Sequence, residues 1–353
     1  RFRVMSDLNI NNITDRTGDS GPVIAGVSTV SSTGAFTVPV GPTEMRGGRG
    51  RGVFSCSYES SGMNIMNYIT IATTGNAIDF GDYTNNDRSG AGVPSSSTRG
   101  LIMGGAASPS GNVTTIEYVT ISSSGGVSDF GDLYQDQRQC GTASDGTRGV
   151  TMGGLTSPSD KLVKDIQYVT IASTGDSSEF GEIVDRHWLA ASACSPTRGV
   201  MSGGRDATSS GSSNSEDNVC QYITIQTKGN TQDFGDLNRQ VSYLPQGICS
   251  STTRGIIGSG YLNPNNDNVI EYITIATTGN ATDFGDTTTA TRAMAALSST
   301  TRGIFAGGSL GPARTNAIQY VTIASTGNAT DFGDTTTVSG WSWGMSDVHG
   351  GLG

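Results

Sequence analysis

The chain is 353 residues long, with 51 glycines, a hydrophobic fraction of 34% and a formal charge of −10. Such acidity disfavours wrapping a polyanion, and no apolar stretch approaches the ~18 residues of a membrane helix. The five cysteines, Cys56, Cys140, Cys194, Cys220 and Cys249, are odd in number and lack C-x-x-C spacing. Neither a zinc site nor a closed disulfide set follows, and buried free thiols are expected.

Residues 1–46 show no repeat phrase and are predicted to form an extended N-terminal arm. Within them, residues 7–13 alternate in polarity and residues 26–38 echo a strand-turn-strand, with no Arg-Gly strand before it. Residues 46–52 resemble an arginine-glycine RNA-binding segment, but the pattern occurs once in an acidic chain, so no nucleic-acid partner is expected.

From residue 47 to 353 one phrase recurs six times. A Tyr-x-Thr-Ile run begins at Tyr68, Tyr118, Tyr168, Tyr222, Tyr272 and Tyr320, and an acid-Phe-Gly-acid ending closes at Asp82, Asp132, Glu182, Asp236, Asp286 and Asp334. A Thr-Arg-Gly run precedes the tyrosine at Arg99, Arg148, Arg198, Arg254 and Arg302, with Arg51 heading a degenerate first copy. The apolar runs are short, β-branched and bounded by Gly or Asn-Gly, which reads as strands. In the last unit, residues 293–299, 302–306, 318–324 and 329–332 are the four predicted strands. Thr326-Gly327-Asn328 supplies the positive-φ residues of a tight hairpin. Apolar groups on both faces of the Tyr strand fit sheets sandwiched between neighbours. The period and strand count predict an all-β, six-bladed kelch-like β-propeller. The first unit lacks an inner strand, so residues 341–347 are predicted to insert there and close the ring.

Each Tyr lies at a constant separation from its closing acid, whereas the Arg-to-Tyr separation varies from Arg51–Tyr68, the shortest, to Arg198–Tyr222, the longest. Variation therefore falls between the second and third strands and after the fourth, two connections that emerge at the same end of the sheets. Variable loops on a rigid scaffold commonly bind ligands. That end is predicted to carry Tyr58, Tyr83, Tyr134, His187, Trp188, Tyr243, Tyr261 and Trp341 among amides and carboxylates. Aromatic faces beside such groups suit sugar rings, and packing between blades is the competing use. Tyr83, Tyr134, His187, Trp188, Tyr243 and Tyr261 are the candidate ligand residues.

The repeat arginines are expected to bridge the repeat acids as forks. Arg99, Arg148, Arg198, Arg254 and Arg302, with Asp132, Asp236, Asp286 and Asp334, are thus assigned to the frame. A further arginine follows the fourth strand at Arg88, Arg138, Arg186, Arg239 and Arg292. The two histidines, His187 and His349, lie far apart. No Ser-His-Asp or Cys-His arrangement is evident, and no catalytic residue, metal site or cofactor is expected.

The phrase at residues 320–334, and residues 21–46 before the repeats, are similar to segments of structural proteins of tailed bacteriophages, cyanophages in particular. The repeats resemble kelch repeats, with Phe where the usual fourth-strand Trp stands. The likeness implies a non-enzymatic virion protein on the capsid or tail exterior, docked to other virion proteins through residues 1–46. Its propeller face would recognise host surface glycan, without membrane insertion, and a homo-oligomer is compatible with it. The alternative is a purely architectural decoration or cement protein with no host ligand.

Overall fold

A computed structural model describes residues 50–353, except residues 60, 85–87, 108–110, 158–160, 208–213 and 353. The arm expected over residues 1–46 lies outside them. The described chain is all-β, and the 3-10 turn Gly350–Leu352 is the one helical element among the described residues.

The third repeat shows the unit in full. Gly141–Ser144, Arg148–Met152, Asp165–Thr170 and Ser178–Glu182 form a four-stranded antiparallel sheet in that order. The inner two strands are buried on both faces, which explains their near-continuous small and apolar sequence. In the second repeat the innermost strand shrinks to the bridges Gly92↔Met103 and Ser95↔Gly100. The first repeat takes its innermost strand from the far end of the chain. Trp343–Ser346 pairs antiparallel with Arg51–Tyr58, matching Gly52 to Ser346 and Phe54 to Gly344, where the sequence placed it.

Innermost strands also meet one another. Gln246–Gly247 pairs in parallel with Ala295–Ser298 on one side and Trp343–Ser346 on the other, joining the last and first repeats into a nearly closed nine-stranded sheet. Small side chains allow this approach. Ser250 N–H donates to Ser298 Oγ (2.9 Å), Ser346 Oγ–H to Ser298 O (2.6 Å), Ser95 Oγ–H to Ser346 O (2.6 Å), and Ser95 N–H to Ser144 Oγ (3.2 Å).

The core lies between consecutive repeats. Val150, Met152 and Ile166 of the third, for example, pack with Met201, Ile223 and Ile225 of the fourth. The repeated phrase makes these junctions. A bulge opposite the Tyr strand turns each Phe inward, edge-on to its Tyr, with ring centroids 5.9 to 6.2 Å apart in all six copies. The glycine after Phe lies against the turn glycine of the next repeat. A Cβ on Gly235 would stand 2.6 Å from the Gly279 carbonyl, and one on Gly333 would stand 2.5 Å from Gly75 O. Gly279 N–H donates to Phe234 O (2.7 Å) and Gly75 N–H to Phe332 O (2.8 Å), so the last repeat joins the first as each joins its successor.

The expected arginine–carboxylate forks do not form. Each repeat arginine lies over the tyrosine of its own repeat: Arg51 on Tyr68 (4.2 Å), Arg99 on Tyr118 (4.3 Å), Arg148 on Tyr168 (4.7 Å), Arg198 on Tyr222 (4.5 Å), Arg254 on Tyr272 (4.1 Å) and Arg302 on Tyr320 (4.6 Å). Its Nη1–H donates to a carbonyl of the next repeat, Ile121, Ile171, Ile225, Ile275, Ile323 and finally Ile71. Asp132, Asp236, Asp286 and Asp334 act through the backbone instead. Their N–H groups donate to the turn Asp176, Asn280, Asn328 and Asn76 of the neighbouring repeat at 2.9 to 3.0 Å. The physical reason is reach. The planar guanidinium finds an aromatic face in its own repeat and a carbonyl in the next before any acid comes within ion-pair distance.

Candidate ligand-binding site

Antiparallel pairing puts the start of each innermost strand, the second-to-third connections and the segments after the fourth strands at one end of the sheets. There, the residue just before each innermost strand is left-handed: Gly90 (φ 69°), Gln139 (55°), Leu189 (62°), Tyr243 (52°), Ala293 (53°) and Trp341 (59°). Five of the six are not glycine, and each pays about 1 kcal/mol or more for that conformation. Backbone bonds hold the turn. Gln139 N–H donates to Gly90 O (2.6 Å), Leu189 N–H to Gln139 O (3.0 Å), Ala293 N–H to Tyr243 O (2.7 Å) and Trp341 N–H to Ala293 O (2.9 Å). Side chains from separate repeats are thereby delivered to one small area.

Two of them, Tyr243 and Trp341, meet edge-to-face at 5.3 Å, and Tyr261 packs on Tyr243 at 5.7 Å. Arginines fill the gaps between rings. Arg292 lies over Tyr261 (4.8 Å) and Tyr243 (5.2 Å), and Arg205 lies over Tyr243 (5.4 Å) and Trp188 (6.0 Å). Arg205 also pairs with Glu216 (3.2 Å), whereas no described carboxylate is within ion-pair distance of Arg292. Beside this cluster, Tyr58, Ser89, Arg138, Gln139 and Trp341 line a cavity of about 180 Å³. Several polar atoms here are buried without a partner: Trp188 Nε1, Arg205 Nε, Gln139 Oε1 and Arg314 Nε. Buried polar groups are normally satisfied, so these four atoms each keep the capacity for a further hydrogen bond.

Three of the six candidate ligand residues, Trp188, Tyr243 and Tyr261, are brought together here. Tyr134 is exposed but stands apart, its hydroxyl donating to Asp165 Oδ1 (3.2 Å). Burial and that carboxylate push its phenol well above the usual range. Two candidates are overturned. Tyr83 is 1% exposed, packed on Trp343 with its hydroxyl donating to Met63 O (2.6 Å), so it fills the core. His187 is wholly buried, with Nε2 3.0 Å from Asp217 Oδ2 and Nδ1 beside Gln221, and cannot meet a ligand at the surface. That bond, before all else, holds the Asp217 carboxyl below its usual range.

The arginines after the fourth strands are not equivalent either. Arg88 is buried against Glu117 (3.4 Å), Arg239 pairs with Asp267 and Glu271, and Arg292 lies on the aromatic cluster. Gln139, Arg205 and Arg314 were not marked by the sequence, because Arg205 and Arg314 fall in the second-to-third connections, whose lengths vary, and the position of Gln139 recurs in conformation but holds a different residue in every repeat. Their signal is composition alone, arginine where a lysine-poor chain varies most.

At the opposite end, the chain terminus brings His349 to Ser144 (3.1 Å) and to Cys194 Sγ (3.6 Å), a contact invisible in sequence. Burial drives the Cys194 thiol up to about 12 and His349 down to about 4, opposite to an activated thiolate–imidazolium pair. All five cysteines are free and buried, as expected. Among the described residues no three His, Cys, Asp or Glu side chains are placed to hold a metal ion.

Neither a scan of protein-family models nor a search of curated proteins returns a match. The likeness to kelch repeats and to phage structural proteins rests on the quoted residues alone.

Proposed function

We propose that the six repeats are the blades of one closed, six-bladed kelch-like β-propeller, and that its aromatic end binds carbohydrate without reacting on it. Six equivalent junctions, including that of the last repeat with the first, support the ring. One observation carries the ligand. Trp188, Tyr243, Tyr261 and Trp341 come from separate parts of the chain and converge with arginines and unpartnered polar atoms at the end where the repeats differ. Aromatic faces take the CH face of a sugar, and side-chain donors and acceptors take its hydroxyls.

The resemblance to phage structural proteins supports a place on the exterior of a virion, capsid or tail, and host surface glycan is then the proposed ligand. Residues 1–46 serve as the attachment to other virion proteins. The edge-to-face stacking of Tyr243 between Tyr261 and Trp341 favours a second reading, in which the rings only stiffen an architectural decoration protein.

A glycan array separates the two. Selective binding by the intact chain that Trp188→Ala and Trp341→Ala abolish, with melting unchanged, supports recognition. A blank array for a folded protein, with particles weakened by its deletion, supports architecture.

A further inference from the structure

The cavity beside the aromatic cluster has a chemistry of its own. Tyr58, Ser89, Arg138, Gln139 and Trp341 line it. Gln139 is only 5% exposed and held in the left-handed conformation, and its Oε1 accepts no hydrogen bond. Arg314 lies over the Tyr58 ring at 5.6 Å. It packs flat on Gly340, the residue before Trp341, where a Cβ would come within 2.9 Å of Arg314 Cδ. Its Nη1 makes contacts of 3.3 to 3.5 Å with Ser309 Oγ, Gly311 O and Ala313 O, and its buried Nε–H has no acceptor. No described carboxylate is within ion-pair distance of it. With Arg138, Arg205 and Arg292, four arginines gather at one end of a chain whose formal charge is −10.

We infer that this cavity takes a carboxylate-bearing sugar residue, of the hexuronate class, as the charged subsite of the carbohydrate site proposed above, on which this inference rests. The ring lies along Trp341. A hydroxyl donates to Gln139 Oε1, satisfying the buried acceptor. The carboxylate meets the Arg314 edge, where a planar guanidinium offers charge-assisted bonds. A neutral hexose would fill the same volume and leave Arg314 without an anion. Gln139, Arg314 and Trp341, whose side chains no other repeat places there, therefore set specificity, while the Tyr243 cluster supplies a sugar platform beside them.

The test is an array of the intact chain against acidic oligosaccharides and their carboxyl-reduced counterparts, with titration calorimetry on the best pair. The expected result is at least about tenfold tighter binding of the acidic form, weakening as salt rises. Gln139→Glu puts a negative charge against the ligand and should weaken both forms, the acidic one more, so that the preference is lost. Arg314→Gln should abolish the preference while sparing the reduced form, with unchanged urea unfolding as the folding control. Equal binding of acidic and reduced forms, unaffected by either substitution, overturns the charged subsite and leaves carbohydrate recognition standing. No binder of either kind overturns both.

Discussion

Arg254→Ala separates stacking from ion pairing as the role of the repeat arginines. Arg254 is half-buried, 4.1 Å above the Tyr272 ring, and donates one hydrogen bond of 2.9 Å to Ile323 O in the next repeat. A cation–π contact at such exposure contributes about 0.5–1 kcal/mol, and a charged hydrogen bond about 1.5–3 kcal/mol before screening. Discounted for exposure, the substitution should cost about 2 kcal/mol, below the ~3–5 kcal/mol of breaking a buried ion pair. Urea unfolding of wild type, Arg254→Ala, Tyr272→Leu and the double variant measures both the loss and the coupling. Coupling of about 0.5–1 kcal/mol is expected, and it should persist at pH 3, since no carboxylate takes part. A loss above 4 kcal/mol that shrinks as carboxylates protonate, with no coupling to Tyr272, would refute the stacked arrangement.

Deleting residues 341–353 removes the innermost strand of the first repeat and should replace one cooperative unfolding transition by a broad one in calorimetry. Gly235→Ala sets a Cβ 2.6 Å from Gly279 at a φ of 134° and should cost about 3 kcal/mol in urea unfolding. His349 is neutral when buried, with its pKa down at about 4, whereas the unfolded chain takes up a proton near 6.5. Stability should therefore fall as pH drops from about 6.5 to 4, by roughly 3 kcal/mol in all, and His349→Gln should remove that portion of the slope in pH-dependent unfolding. Tyr243→Gly relieves a left-handed residue and should leave stability within about 1 kcal/mol while weakening glycan binding tenfold or more in calorimetry.

Much of the frame was legible because it is periodic. The Tyr, Phe and Gly of the phrase recur at fixed spacing because each repeat must meet the next in the same way, and the C-terminal strand was found by the gap it fills. The partner of each repeated arginine was not legible. Sequence shows Arg, Tyr and acids in every copy, and only geometry decides that the ring and the carbonyl come first. Tyr83 and His187 sit in the variable segments, yet fold inward, because a segment after a fourth strand must first cross the buried edge of the next repeat. Arg205 and Arg314 have no repeated counterpart to flag them, and the position of Gln139 holds a different residue in every repeat. Their importance comes from convergence across repeats, which a linear reading cannot show.

Carbohydrate recognition at the aromatic end is tested most directly by a crystal structure of the intact chain soaked with the tightest binder from the array. The account predicts a sugar ring on Trp341 and Tyr243, with its hydroxyls on Gln139 and Trp188 Nε1. Sugar density at the hairpin end, near Tyr168 and Gly175, with an empty aromatic end, would contradict it.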